Sequence, residues 1–168
     1  MTLPKERNSC LNLNNRRHFY ELAEQEIVRT RRYGKPLAIM MVDVDHFKAI
    51  NDTYGHHSGD TVLQQLGAIC RQTMREIDII GRIGGEEFSI LLPEANGMHA
   101  REAAERLREA VAATVVQLEQ DVSISFTVSI GVAALVATDN GVAAMLKRAD
   151  EALYEAKYSG RNRVCSRY

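Results

Sequence analysis

The chain has no tryptophan, three prolines, three cysteines and almost no net charge, -1 at pH 7 over 168 residues. Each shortage excludes something. Cys10, Cys70 and Cys165 are odd in number, far apart and without metal-type spacing, so neither a disulfide framework nor a zinc site is expected, and a reducing cytoplasm is the natural compartment. With 21 Lys and Arg against 22 Asp and Glu, no general basic excess exists to grip a nucleic-acid backbone, although a local patch could hold small phosphates. The longest purely apolar run, 37–42, is far short of the ~18 residues of a membrane span, and no signal-peptide pattern opens the chain. What is present is ordinary globular composition, 45% hydrophobic and 26% charged, at a length that suits one domain with a proper core.

Residues 1–14 show no periodicity and read as a lead-in or linker, with the domain over 15–168. A helix is expected from Asn15 to the Gly34–Pro36 stop, with Arg29, Arg31 and Arg32 at its C-terminal end complementing the helix dipole. The run 37–42 reads as a strand buried on both faces and ends abruptly in Asp43, Val44, Asp45. A short helical piece over 46–51, with Asp45 as its N-cap, gives way to a loop over 52–60 and a second helix with Val62, Leu63, Leu66, Ile69 and Cys70 on its apolar stripe. Strands are expected over 78–83 and 88–92, joined by a tight hairpin at Gly84-Gly85, and a third helix runs through Ala100, Ala104, Leu107 and Val111 to Leu118. Alternation from Ile124 to Val132 predicts a half-buried antiparallel strand, followed by a helix over 142–158 and a short closing strand over 162–166.

This order is an α+β fold: a ferredoxin-like, palm-type βαββαβ core, with a mostly antiparallel central sheet flanked by helices. In that topology the third strand lies beside the first, so Asp43 at the end of one strand meets Glu86 at the hairpin tip. Successive residues on a strand face opposite ways, so Glu86 and Glu87 are expected to divide into a ligand-facing acid and a supporting one. Clustered carboxylates repel unless something positive satisfies them, and oxygen donors of this kind suit a divalent cation shared with substrate phosphates. Lys48, Lys157 and Arg161 could hold a triphosphate, although Lys157 equally complements a helix dipole and Arg161 equally sits in a solvated loop. Asn51 and Asp60 could read a guanine edge or simply cap and turn a loop. Adjacent His56 and His57 read as structural, and Arg75 with Asp78, three apart, as an ordinary ion pair.

Taken in order, these residues resemble the GGDEF family of diguanylate cyclases in its Gly-Gly-Glu-Glu-Phe form. The match covers about residues 15–163. It is carried by Asp43-Val44-Asp45-His46-Phe47-Lys48, Asn51-Asp52, Gly55-His56, Gly59-Asp60, Gly84-Gly85-Glu86-Glu87-Phe88, Ser129-Ile130-Gly131-Val132-Ala133, and Ala149-Asp150-Glu151-Ala152-Leu153-Tyr154 with Lys157 and Gly160-Arg161-Asn162. The resemblance implies condensation of two GTP molecules to cyclic di-GMP across a homodimer, with Mg2+ (or Mn2+) as cofactor. It implies that Asp43, Glu86 and the Val44 carbonyl bind metal, that Glu86 assists deprotonation of the attacking hydroxyl, and that Glu87 supports the site. Phe47, Lys48, Asn51, Asp60, Gly84, Gly85, Lys157 and Arg161 would then bind GTP. Arg75 and Asp78 match the family's RxxD product-inhibition site, with Arg106 as a second arginine, which replaces the ordinary ion-pair reading. The alternative function is a catalytically silent module that binds GTP or cyclic di-GMP. A sensory domain is expected upstream in a larger protein, with no nucleic-acid partner and no membrane segment in this stretch. The chain departs from the family at its opening motif, where Asn8, Cys10, Leu11 and Asn12 stand in place of the usual Asp, Leu, Thr and Gly.

Overall fold

The apolar run beginning at Leu37 becomes the middle of the structure. The computed structural model describes residues 7–8 and 13–168. Along them run β1 (Arg7–Asn8), β2 (Leu13–Asn14), α1 (Arg16–Tyr33), β3 (Leu37–Val44), α2 (Phe47–Tyr54), α3 (His56–Thr73), β4 (Ile79–Arg82) and β5 (Glu87–Pro93). They are followed by α4 (Gly97–Ala112), β6 (Val115–Gln117), β7 (Ser123–Ser125), β8 (Val128–Ala134), α5 (Val142–Tyr158) and β9 (Val164–Arg167). The departures at Cys10, Leu11 and Asn12 lie outside the described residues.

All eight residues of β3 are buried because each face of the sheet carries helices. Ala38, Met40, Val42 and Val44 join the core under α3 and α4, while Leu37, Ile39 and Met41 join the one under α1 and α5. The sheet order is β1-β2-β4-β5-β3-β8-β9. Its four middle strands pair antiparallel, with β3 between β5 and β8, as the βαββαβ reading expects. The edges make it mixed, since β9 runs parallel to β8 and β2 parallel to β4. Residues 13–14 of the expected lead-in therefore belong to the sheet, and Leu13 is buried. No helix among the described residues is long and apolar enough to cross a membrane.

Helix boundaries follow local chemistry. The Asn15 side chain accepts from the His18 N–H at 2.8 Å to start α1, and Gly34 closes it at φ 67°. Three expectations are corrected. The loop over 52–60 contracts to Gly55, whose φ of 92° lets α2 turn directly into α3. The third helix stops at Ala112 rather than continuing to Leu118, because Val115 and Val116 enter a small separate hairpin with β7. The expected strand from 124 to 132 is broken at Phe126 and Thr127, and β8 beyond the break is buried on both faces rather than half-buried. Ser129 and Gly131, which alternate with its apolar residues, face tightly packed neighbours instead of water.

Candidate active site

Cross-strand register brings the acids together. Asp43, at the end of β3, stands opposite Glu87, with Glu86 one residue earlier in the turn from β4. That turn is not the tight two-residue hairpin expected of Gly-Gly, since residues 83–86 separate the strands and neither glycine has a positive φ. Gly84 is there for space: a Cβ on it would stand 3.3 Å from Glu87 Oε2, whereas one on Gly85 would meet nothing. The sequence reading missed Arg82. Its guanidinium donates to the carbonyls of Gly84 and Gly85 at 3.2, 3.1 and 2.7 Å and so clamps the turn that carries Glu86.

Asp43, Val44, Phe47, Lys48, Glu86, Lys157 and Arg161 all line one open cleft of about 480 Å³. Glu87 does not, so the two neighbouring acids do face different surroundings. Asn51 and Asp60 are not in the wall of this cleft, and Gly59, next to Asp60 in the chain, packs against the Asn51 side chain and the Phe47 ring that lines it. A Cβ at Gly59 would fall 1.9 Å from Asn51 Oδ1 and 3.2 Å from the Phe47 ring, so only glycine lets α3 start against these α2 side chains. Asp60 is exposed, and Asn51 Oδ1 is buried without a hydrogen-bond partner.

Asp45 is not the N-cap. His46 holds that position at φ 56° with no side-chain cap, and Asp45 is buried, bonded to groups far along the chain. His56 and His57 are both exposed, and His57 lies 3.4 Å from Glu119 on the β6–β7 hairpin.

Arg75 and Asp78 are elsewhere, at the other end of the β4–β5 ladder. Asp78 is buried and accepts from the Arg75 N–H at 2.7 Å and from its guanidinium at 2.8 Å, while the same guanidinium reaches the Pro93 carbonyl at 2.8 Å. Arg106 is exposed on α4, which packs beside α3.

The electrostatics of the cleft centre on Asp43, only 2% exposed. Burial pushes its carboxyl up to about 6, against the opposing pull of the Lys157 ammonium bonded to Oδ2, with Glu86 and Glu87 adding repulsion. Its other oxygen, Oδ1, is buried with no partner. A carboxylate with one oxygen neutralised and the other unsatisfied, beside Glu86, fits a hard divalent cation of the Mg2+ or Mn2+ kind. Among the described residues no three His, Cys, Asp or Glu side chains gather into a metal site, so substrate oxygens would have to complete the coordination.

Because the folded pKa of Asp43 lies above its ordinary 3.8, protonation favours the folded state. Its contribution is full below 3.8 and is lost as pH rises through about 6. The wild type should therefore lose stability relative to Asp43→Asn by up to about 3 kcal/mol between pH 4 and pH 7.5, from ~1.4 kcal/mol per unit. Urea unfolding in EDTA measures this. Asp139, held low by Arg148 despite its burial, titrates below the window. A difference that stays flat across that range would contradict the assignment.

A family model described as "Diguanylate cyclase, GGDEF domain" matches residues 9–163. The chain is 42% identical over 152 residues to the diguanylate cyclase DgcP of Pseudomonas aeruginosa, covering 90% of this chain and 22% of that protein. Its structure resembles the GGDEF domain of DgcB from Caulobacter crescentus, solved in complex with c-di-GMP, with a TM-score of 0.94, 27% identity and coverage of 99% and 95%. It also resembles the active GGEEF domain of a diguanylate cyclase from Vibrio cholerae, with a TM-score of 0.85, 36% identity and coverage of 90% and 96%. The chain spans between 22% and 42% of the length of the first curated relatives it matches.

Proposed function

The chain belongs to the GGDEF domain family of diguanylate cyclases, and from that premise we propose that it condenses two GTP molecules into cyclic di-GMP, releasing two pyrophosphates. The observation that carries this reading is the convergence of Asp43, Glu86, Lys48, Lys157 and Arg161 on one cleft. Each chain holds one GTP, and two chains face one another so that each 3′-hydroxyl meets the partner's α-phosphate.

Asp43, Glu86 and the Val44 carbonyl would hold a divalent cation, which would supply positive charge to stabilise the charge that develops in phosphoryl transfer. Glu86 accepts the proton of the attacking hydroxyl, and Glu87, behind it on β5, supports the turn. Lys48 and Arg161 hold phosphates by charge. Lys157 neutralises Asp43, and with a bound cation balancing Asp43 instead its ammonium would be available to the phosphates. Asp60 accepts the adjacent N–H donors of the guanine edge, and Asn51 pairs with the same edge through its unsatisfied amide oxygen or its NH2. Phe47 packs beside them. Gly84 and Gly85 let the nucleotide approach the backbone closely.

The test is cyclic di-GMP formation from GTP and Mg2+ across a wide range of protein concentration. A specific rate that rises with concentration supports a dimer-dependent cyclase. Absence of product at every concentration, with GTP still bound, would leave only the binding module. An upstream sensory domain in a longer protein would act by setting how often two copies meet.

Arg75 and Asp78 form the product-inhibition site in this reading, with Arg106 as a further contact. Asp78 and the Pro93 carbonyl pin the Arg75 guanidinium through Nε and one terminal nitrogen, while the side chain stays about half exposed (46%) and keeps its other terminal nitrogen for a guanine acceptor. Arg75→Ala should weaken cyclic di-GMP binding by at least roughly tenfold, one lost hydrogen bond from a charged group, and relieve inhibition at high product. Calorimetric titration that finds equal affinity in the variant would remove the assignment.

A further inference from the structure

Asp45 has no part in the scheme above, yet it is a buried carboxylate, 4% exposed, at the lip of the cleft. Oδ2 accepts from Thr127 Oγ1 at 2.7 Å and from the Asn162 N–H at 3.0 Å, and Oδ1 accepts from Ser129 Oγ at 2.6 Å. All three partners are neutral. Asp45 is the first residue beyond β3, and both it and Asp43 meet the C-terminal end of α5: Asp43 through Lys157, Asp45 through the turn that follows.

That turn is unusual. Arg161 and Asn162 are both left-handed, at φ 64° and 46°, and neither is glycine. Consecutive residues in this region persist only where their surroundings hold them there. Four contacts do so: Arg161 N–H to the Ala156 carbonyl at 3.0 Å, Arg163 Nε to the Arg161 carbonyl at 3.1 Å, Arg108 to Asn162 Oδ1 at 3.0 Å, and the Asp45 carboxylate on the Asn162 N–H. Of these only Asp45 ties the turn to the strand that carries Asp43. Its own N–H also bonds the Thr127 carbonyl at 2.9 Å, which fixes Asp45 to the end of the β3–β8 ladder.

We infer that Asp45 is a positioning residue for substrate phosphate: through its bond to the Asn162 N–H it fixes the left-handed turn that aims Arg161 into the cleft, at a set distance from Asp43. The inference rests on the proposed role of Arg161 in holding phosphates. It also explains why an acid serves here without a cation: one carboxylate can accept from three donors at once, and a hydroxyl side chain is too short to bridge them.

Binding to the full chain in EDTA, where no turnover occurs, separates this role from others. Asp45→Ala should weaken GTP binding by roughly tenfold or more, since misplacement of a binding group is costly, while leaving guanosine, which lacks phosphates, bound as in wild type. Asp45→Asn should retain wild-type GTP affinity, because its carbonyl can take the Oδ2 position toward Asn162 and Thr127 while its NH2 donates to Ser129. If the alanine variant does not fold, Asp45→Ser keeps a polar group in place but is too short to reach Asn162, and it gives the same reading. The inference is overturned if the asparagine variant loses affinity as the alanine variant does, because charge would then be the operative property. It is also overturned if guanosine and GTP weaken together. Unchanged GTP affinity in Asp45→Ala alongside a loss in Arg161→Ala overturns the inference alone, whereas no loss in Arg161→Ala overturns the phosphate reading with it.

Discussion

Glu86→Gln is expected to lower the rate of cyclic di-GMP formation by roughly 10² to 10⁴-fold, the range for loss of a positioned general base. The substitution keeps size and hydrogen-bonding capacity but removes the charge that faces the cleft and the group that accepts the hydroxyl proton. Glu86 is only half-buried in the turn that Arg82 clamps through the Gly84 and Gly85 carbonyls, so the fold should tolerate the change. GTP affinity in EDTA should stay close to wild type, because in the proposed scheme Lys48 and Arg161 hold the phosphates, with Lys157 still paired to Asp43, and Asn51 and Asp60 hold the base. A rate within about tenfold of wild type would contradict the role, since a lost base costs at least ~10²-fold. A collapse of GTP affinity would instead mean that the turn had moved.

Gly131→Ala should be the most damaging single methyl in the chain. Gly131 lies midway along β8, which is paired to β3 on one side and β9 on the other. A Cβ there would fall 2.0 Å from the Ala149 carbonyl oxygen and 2.3 Å from the Leu153 nitrogen. Both are backbone atoms of α5, so no side-chain rotation relieves the clash. Either the helix lifts or the strand yields, at a cost of about 3 kcal/mol, the upper range for overpacking. That corresponds to a fall in Tm of roughly 6 to 12 °C for a domain of this size. Function should suffer beyond stability. Because α5 carries Lys157 and leads into Arg161, lifting it would withdraw two cations that the proposed scheme assigns to the phosphates, and GTP should bind more weakly even well below Tm. Thermal unfolding followed by circular dichroism, with GTP titration of the folded variant, checks both. A Tm within about 2 °C of wild type, equivalent to less than ~1 kcal/mol, would mean that α5 and β8 are less tightly pressed than this.

Much of the site could be read along the chain because strand geometry is periodic. Asp43 ends a run apolar enough to need cover on both faces, and once the βαββαβ order is recognised, the hairpin acids must stand beside it. That Glu86 lines the cleft and Glu87 does not agrees with the opposite facings expected of neighbouring residues. Boundaries that depend on a choice between two periods were less legible. The apolar residues Val115 and Leu118 fit a helical stripe after Val111 as well as a strand, and only the pairing of Val115–Gln117 with Ser123–Ser125 decides between them. Gly55 and Gly59 looked like loop residues. One supplies a single-residue corner, and the other is a small residue inside a helix pressed against Asn51.

The sequence by itself determined the fold class, the buried central strand and the meeting of Asp43 with the hairpin tip, because each is encoded in local periodicity and in the order of elements, and it carried the family resemblance in an ordered set of short motifs. Only the tertiary structure decided that Lys157 neutralises Asp43, that Arg82 clamps the turn before Glu86, and that Asp45 reaches Thr127, Ser129 and Asn162 instead of capping α2. Such contacts cross from about 80 to 117 residues of chain, except in the case of Arg82, and depend on where a helix end or a turn comes to rest to within a hydrogen-bond length. Periodicity states which face a side chain occupies, while the packing of whole elements against one another sets what it touches there.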